Sequence, residues 1–163
     1  MSKDRRKAFE ELAEHLDYPM YVVTAAADGV RAGCLVGFAS QCSVHPPRFM
    51  VFLSDKNHTH RVALDAPVLA VHIVPEDAEQ LARLFGELSG DDVDKFERCE
   101  WEPGPHGVPL LSTCTDRFVG RVLERREVGD HTAFLLEPVH VEARGGSFFP
   151  FRRARSFDPG HEA

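Results

Sequence analysis

The chain has 163 residues, of which 43% are hydrophobic and 28% charged, with a formal net charge of −7. That size and composition describe one globular domain with enough core to fold without disulfides or metals, and they exclude a disordered chain. The acidic balance argues against nucleic acid as a partner, and no apolar run approaches the roughly 18 residues of a membrane helix. The first residues, Met1 to Lys7, lead into an acidic amphipathic stretch rather than a signal-peptide core, which points to a soluble cytoplasmic protein.

The opening segment, residues 1–17, reads as a helix. Phe9, Leu12, Ala13 and Leu16 recur at helical spacing, with Glu10, Glu11, Glu14 and Asp17 on the other side, so the helix is expected to pack on the body. Pro19 ends it. Met20 to Ala25 and Ala32 to Phe38 read as two strands joined at Asp28-Gly29, a strong hairpin signal. Residues 39–47 read as a small polar turn, Phe49 to Leu53 as a strand, and Ser54 to His60 as a loop. Val68 to Val74 is an apolar strand stopped by Pro75, and Glu76 to Leu88 is helical, with Leu81, Leu84, Phe85 and Leu88 as its stripe. Residues 91–109 are irregular. Two more strands fit Phe118 to Arg126 and Thr132 to Ala143. About six strands with helices at the edges predict a mainly β protein, a small β-barrel with helical insertions, although periodicity alone does not separate a barrel from a sandwich. The organisation is an N-terminal helix (1–17), a central domain (18–143) and a C-terminal arm (144–163) whose Phe148, Phe149 and Phe151 favour docking somewhere.

Four cysteines, at 34, 42, 99 and 114, have no CxxC spacing and are expected to be reduced and buried as small hydrophobes. No metal site is expected, because His58 with His60 and Cys42 with His45 give pairs, not the three or four converging ligands a metal needs. Ser40 and Ser43 lack the Gly-x-Ser-x-Gly elbow of a hydrolase.

Two polar stretches stand out: Gly33 to Pro47, and Ser54-Asp55-Lys56-Asn57-His58-Thr59. As neighbouring loops they offer backbone N–H groups, hydroxyls and Lys56 to an anion. Three landmarks then carry a family resemblance: the fourteen-residue step from Gly33 to Pro47, the polar loop ending Lys56-Asn57-His58-Thr59, and Gly129-Asp130-His131. Lesser echoes are Tyr18 to Thr24, Lys95-Phe96 and Gly107 to Leu111. In order and spacing, over residues 18–143, the chain resembles the flavin reductase-like proteins of the FMN-binding split β-barrel fold.

The resemblance implies a homodimeric flavoprotein oxidoreductase, an NAD(P)H-dependent flavin reductase. NADH or NADPH serves as reductant, and FMN, FAD or a deazaflavin occupies the pocket. By position, Leu35, Val36, Gly37, Phe38, Gln41, Cys42 and Ser43 would line the isoalloxazine and ribityl chain. Ser54, Lys56, Asn57, His58, Thr59 and Arg61 would hold the phosphate. His131 is the catalytic candidate on the nicotinamide side. Leu35-Val36-Gly37-Phe38 departs from the family pattern, which carries hydroxyl side chains there. A monooxygenase component is the implied partner. The alternative is a non-enzymatic flavin-binding or electron-carrier module, which would bind flavin tightly without rapid NAD(P)H oxidation.

Overall fold

The computed structural model describes residues 1–160. After helix α1 (Lys3–Ala13) come strands β1 (Tyr21–Ala27), β2 (Val30–Val36), β3 (Ala39–Ser43) and β4 (Arg48–Ser54), then helix α2 (His58–Ala63). They are followed by β5 (Val68–Ile73), α3 (Glu79–Glu87), the short strands β6 (Trp101–Pro103) and β7 (Pro109–Leu111), the long strands β8 (Arg117–Glu127) and β9 (His131–Glu142), and the single turn α4 (Phe151–Ala154). No helix among the described residues is long and apolar enough to cross a membrane.

Seven strands form one antiparallel sheet in the order β2-β1-β5-β8-β9-β4-β3, and β6 with β7 forms a separate hairpin. The β1–β2 turn has positive φ at both Asp28 (52°) and Gly29 (76°), the backbone of a two-residue hairpin turn. Curvature follows from chain length. Strands β2 and β3 are the two edges of the sheet, yet only Gly37 and Phe38 join them. Laid flat, edges six spacings apart would stand about 29 Å from each other. Three residue steps reach about 11 Å. The sheet must therefore curl into a barrel with a split beside the Gly37-Phe38 crossing, where the Phe52 N–H donates to the Phe38 carbonyl at 2.9 Å.

The barrel interior is filled by alternate residues along the strands, among them Val23, Ala25, Cys34, Val51, Leu53, Leu69, Val71, Phe134 and Leu136. Helix α2 and the turn after it add Val62, Ala63 and Ala66 to that core. The Arg125 guanidinium holds this plug in place by donating to the Ala66 carbonyl at 2.5 Å and the Ala63 carbonyl at 3.4 Å.

A second core lies outside the barrel wall. There Leu81, Ala82 and Phe85 of α3 meet Met20, Val22, Val74, Phe96, Leu111 and Phe149. Two buried polar side chains stitch it. Lys95 Nζ donates to the carbonyls of Gly33 (3.0 Å) and Phe85 (3.2 Å). His72 Nε2 accepts from the Leu111 N–H at 3.0 Å, which leaves the proton on Nδ1 to donate to the Val22 carbonyl at 3.0 Å.

Several expectations are corrected. There are nine strands among the described residues, not six. Residues 39–43 form the edge strand β3, with Ala39, Ser40 and Gln41 registered on Val51, Met50 and Phe49 and a bulge before Ser43. Its polar composition suits an edge, where one side faces water. The supposed loop at Ser54 to His60 turns into α2 at His58, because the Asn57 side chain caps the helix by accepting from the Thr59 N–H at 2.9 Å. Helix α1 buries no residue, and Phe9, Leu12 and Leu16 stay exposed. An apolar stripe records a face that can be buried and not what buries it. Cys34 and Cys114 are buried as expected, Cys99 is half-buried, and Cys42 is exposed on β3.

The arm docks on its own chain. Phe149 is fully buried. Its N–H donates to the Val74 carbonyl (2.8 Å), and its carbonyl accepts from the Met20 N–H (2.9 Å). Arg152 pairs with Asp17 at 2.6 Å and Arg153 with Glu79 at 3.1 Å. Positions 161–163 of the arm lie outside the described residues.

Candidate functional site: a cleft at the barrel split

A cleft of about 200 Å³ opens beside the Gly37-Phe38 crossing. Its walls are mostly apolar: Leu35 to Phe38, Tyr18, Met20, Phe52 and Phe151. Ser54, Asn57 and His131 give it polar groups. Strand pairing explains why these meet. Strand β4 ends and β9 begins in one register, which sets Ser54 opposite His131. The Asp55 N–H then donates to the Asp130 carbonyl at 3.0 Å, tying the start of the next loop to the same corner.

The apolar side is built by aromatic contact. Tyr18 and Phe151 stack with ring centroids 4.7 Å apart and planes 12° apart, so the arm supplies one wall. Gly37 lies so close to Tyr18 that a Cβ there would come within 2.7 Å of the ring. Phe38 is 56% exposed, a large apolar surface for a lone side chain to leave in water, and its ring centroid is 5.3 Å from that of His131.

His131 is held by its neighbour. Its Nδ1 is 2.7 Å from Asp130 Oδ1. That hydrogen bond, with the positive charge of Lys56 nearby, holds the Asp130 carboxyl below its usual range. An ionised carboxylate only accepts, so Nδ1 carries the proton and Nε2 is the acceptor nitrogen of the neutral ring.

Of the residues proposed from sequence, Leu35, Val36, Gly37, Phe38, Ser54, Asn57 and His131 are brought together at this cleft. Gln41, Cys42 and Ser43 are not among its lining. They lie on β3, where Gln41 Nε2 donates to the Ser43 carbonyl at 3.1 Å. Lys56 is exposed on the loop before α2. Thr59 is buried and is not among the cleft's lining. His58 and Arg61 are engaged by Asp91, at 3.2 Å and 2.5 Å. Sequence reasoning did not place Tyr18, Met20, Phe52, Phe151, Asp130 or Asp91 at or beside the site. Tyr18 and Asp130 sat within motifs already noticed. Phe52 was read only as part of a strand, and Phe151 only as one of three arm aromatics expected to dock somewhere.

A curled antiparallel barrel, split at a two-residue crossing and carrying an aromatic cleft with a polar end, defines a small split-barrel protein. The sequence pattern of the flavin reductase like domain matches residues 13–156, and the chain belongs to that family. It is 26% identical over 155 residues to the reductase component of 4-hydroxyphenylacetate 3-monooxygenase from Pseudomonas aeruginosa, covering 92% of this chain and 90% of that one. Among solved structures it resembles an NADH:FAD oxidoreductase of Streptomyces globisporus (TM-score 0.81, 20% identity, 99% of this chain and 93% of the other). It also resembles an FMN-binding protein of Thermus thermophilus (TM-score 0.72, 28% identity, 78% of this chain and 71% of the other).

Proposed function

We propose that the protein is an NAD(P)H-dependent flavin reductase that binds FMN in the cleft at the barrel split. The observation that carries the reading is the cleft's makeup: flat apolar walls from Leu35 to Phe38, Tyr18 and Phe151, and a polar end at Ser54, Asn57 and His131. That donor set suits an aromatic tricycle with a polar side chain. When bound, flavin would supply the redox chemistry, as acceptor of the hydride that a reduced nicotinamide gives up on becoming oxidised. The protein's part is to orient and exclude water. Leu35, Val36 and Gly37 shape the floor, and Phe38 would offer its ring to a flat ligand. Ser54 and Asn57 take the polar chain, and Lys56 adds positive charge nearby. Asp130 fixes His131 so that Nε2 can accept from the nicotinamide amide.

The protein is further proposed to work as a cytoplasmic homodimer that passes reduced flavin to a monooxygenase component. The named relative from Pseudomonas aeruginosa supports the partner class. A second concavity, where Met50, Phe52, Ala133 and Leu135 on the outward faces of β4 and β9 meet Glu124 and Arg126 of β8, supports a dimer face adjoining the cleft. An anaerobic spectral titration tests the central reading. FMN is added first, then NADH and NADPH. Binding followed by fast bleaching of the oxidised flavin band is expected, and the faster donor names the preferred dinucleotide. Tight binding without bleaching by either donor would replace the reductase with a flavin carrier. Light scattering at micromolar concentration is expected to give twice the chain mass.

A further inference from the structure

One wall of the cleft joins the two ends of the chain. Tyr18 lies in the segment that follows α1, and Phe151 opens the single turn α4 of the arm. The Phe151 N–H donates to the Tyr18 carbonyl at 2.8 Å, and the Met20 N–H to the Phe149 carbonyl at 2.9 Å. Backbone bonds join the segments without fixing how the two rings lie on each other. Arg155 supplies that restraint. Its N–H donates to the Phe151 carbonyl at 3.1 Å, closing the turn that brings its side chain back to the Phe151 ring. The guanidinium carbon stands 5.2 Å from the centroid of that ring, a cation–π contact. Arg155 Nη2 also donates to the Leu16 carbonyl at 3.0 Å and to the carbonyl of Glu14. Glu14 caps the end of α1, where a carbonyl has no helical N–H to accept from. One planar fork thus touches the Phe151 ring and the segment that runs into Tyr18. Arg152 also ties these segments, by its ion pair with Asp17 at 2.6 Å.

We propose that Arg155 is a positioning residue for the cleft: it holds the Phe151 ring on Tyr18, and through that stack sets the aromatic wall against which a flat ligand lies. Arg155 is not itself among the cleft's lining, so it acts through the two rings. The consequence for flavin rests on the flavin reading above. Lysine would not serve equally, because a point charge on a flexible stem cannot lie flat on a ring and reach two carbonyls at once.

The test compares Arg155→Met, Arg155→Lys, Phe151→Ala, the double variant Arg155→Met with Phe151→Ala, and Arg152→Gln, which removes only the ion pair to Asp17. The near-ultraviolet circular dichroism of tyrosine in the ligand-free protein reads the stack, since Tyr18 is one of two tyrosines in the chain. Flavin fluorescence quenching reads FMN affinity. Arg155→Met is expected to reduce the tyrosine signal and to weaken FMN about two- to threefold. The rate at which NADH bleaches the FMN-saturated protein is expected to stay the same, because Arg155 touches no reacting atom. Arg155→Lys is expected to recover less than half of the lost affinity. On the Phe151→Ala background, Arg155→Met is expected to add nothing. An unchanged tyrosine signal or unchanged FMN affinity in Arg155→Met overturns the proposal. So does a loss that persists in full without the Phe151 ring, or that Arg152→Gln reproduces, since Arg155 would then be a general tie for the arm. A wild type that binds no FMN overturns the flavin reading itself, and the tyrosine signal then decides the positioning.

Discussion

The Asp130 carboxylate accepts a hydrogen bond from His131 Nδ1 at 2.7 Å, and His131 in turn lies against the exposed Phe38 ring at the mouth of the cleft. A charged, solvent-facing residue thus sets the tautomer of a histidine that faces the cleft. His131→Ala is expected to slow NADH oxidation about tenfold, the worth of one good hydrogen bond, while FMN affinity changes little. Asp130→Asn is expected to give a smaller loss, seen mainly as a raised KM for the dinucleotide. Stopped-flow bleaching against dinucleotide concentration separates the two.

The Tyr18–Phe151 stack makes the arm part of the site. Phe151→Ala is expected to weaken FMN binding about fivefold, in line with the loss of one aromatic contact. Gly37→Ala is expected to act in the same direction by pushing Tyr18 aside, since the new methyl meets its ring at 2.7 Å. Fluorescence titration reads both, and far-UV circular dichroism should remain unchanged.

Phe149 is fully buried in the outer core and its backbone bonds bridge Val74 and Met20. Phe149→Ala is expected to destabilise the fold by about 3–4 kcal/mol, the range for a large-to-small change in a packed core. Urea unfolding checks this. A loss below about 1 kcal/mol would mean that the arm is only loosely docked.

His72 gives the fold an acid sensitivity. Burial pushes its pKa down to about 4 from the ordinary 6.5. Protonation would place an N–H at Nε2 directly against the Leu111 N–H that it now accepts. The folded state therefore binds this proton less readily than the unfolded chain. Its contribution is complete above pH 6.5 and is lost as pH falls from there toward 4. The loss amounts to roughly 2 kcal/mol between pH 7 and pH 5. His60, buried beside Thr132, is shifted down by burial as well and adds in the same direction. His72→Gln should start less stable at pH 7 and lose about 2 kcal/mol less than the wild type on going to pH 5, measured by urea unfolding at the two values.

Much of the secondary structure was legible because it is local. Asp28-Gly29 announces its hairpin with two residues, and Pro75 stops the strand before it, whereas α1 already ends at Ala13, well short of Pro19. The apolar runs at 20–25, 49–53 and 68–74 leave little choice but strand. Strand β3 was not legible. Its residues are polar, and only pairing with β4 makes them a strand. The start of α2 at Asn57 was missed for a similar reason: Ser54 to His60 reads as a polar loop, and a single cap decides where the helix begins.

The candidate site divides the same way. Leu35 to Phe38, Ser54, Asn57 and His131 could be named only through the family resemblance, which the Gly33–Pro47 spacing, the loop ending at Thr59 and Gly129-Asp130-His131 carry. Which of the named residues face a common cleft was decided only by the fold. The β4–β9 register sets Ser54 opposite His131, and the curl forced by the Gly37-Phe38 link opens the split beside them. The return of the arm brings Phe151 onto Tyr18 across more than a hundred residues. Asp91 takes Arg61 and His58 by the same kind of long-range placement. Composition, turn chemistry and periodicity act between near neighbours, so the sequence by itself determined the strand-rich character and the hairpin, and its ordered motifs carried the resemblance to the family. Registers, closure and docking depend on which distant surfaces pack together, and these the tertiary structure alone decided.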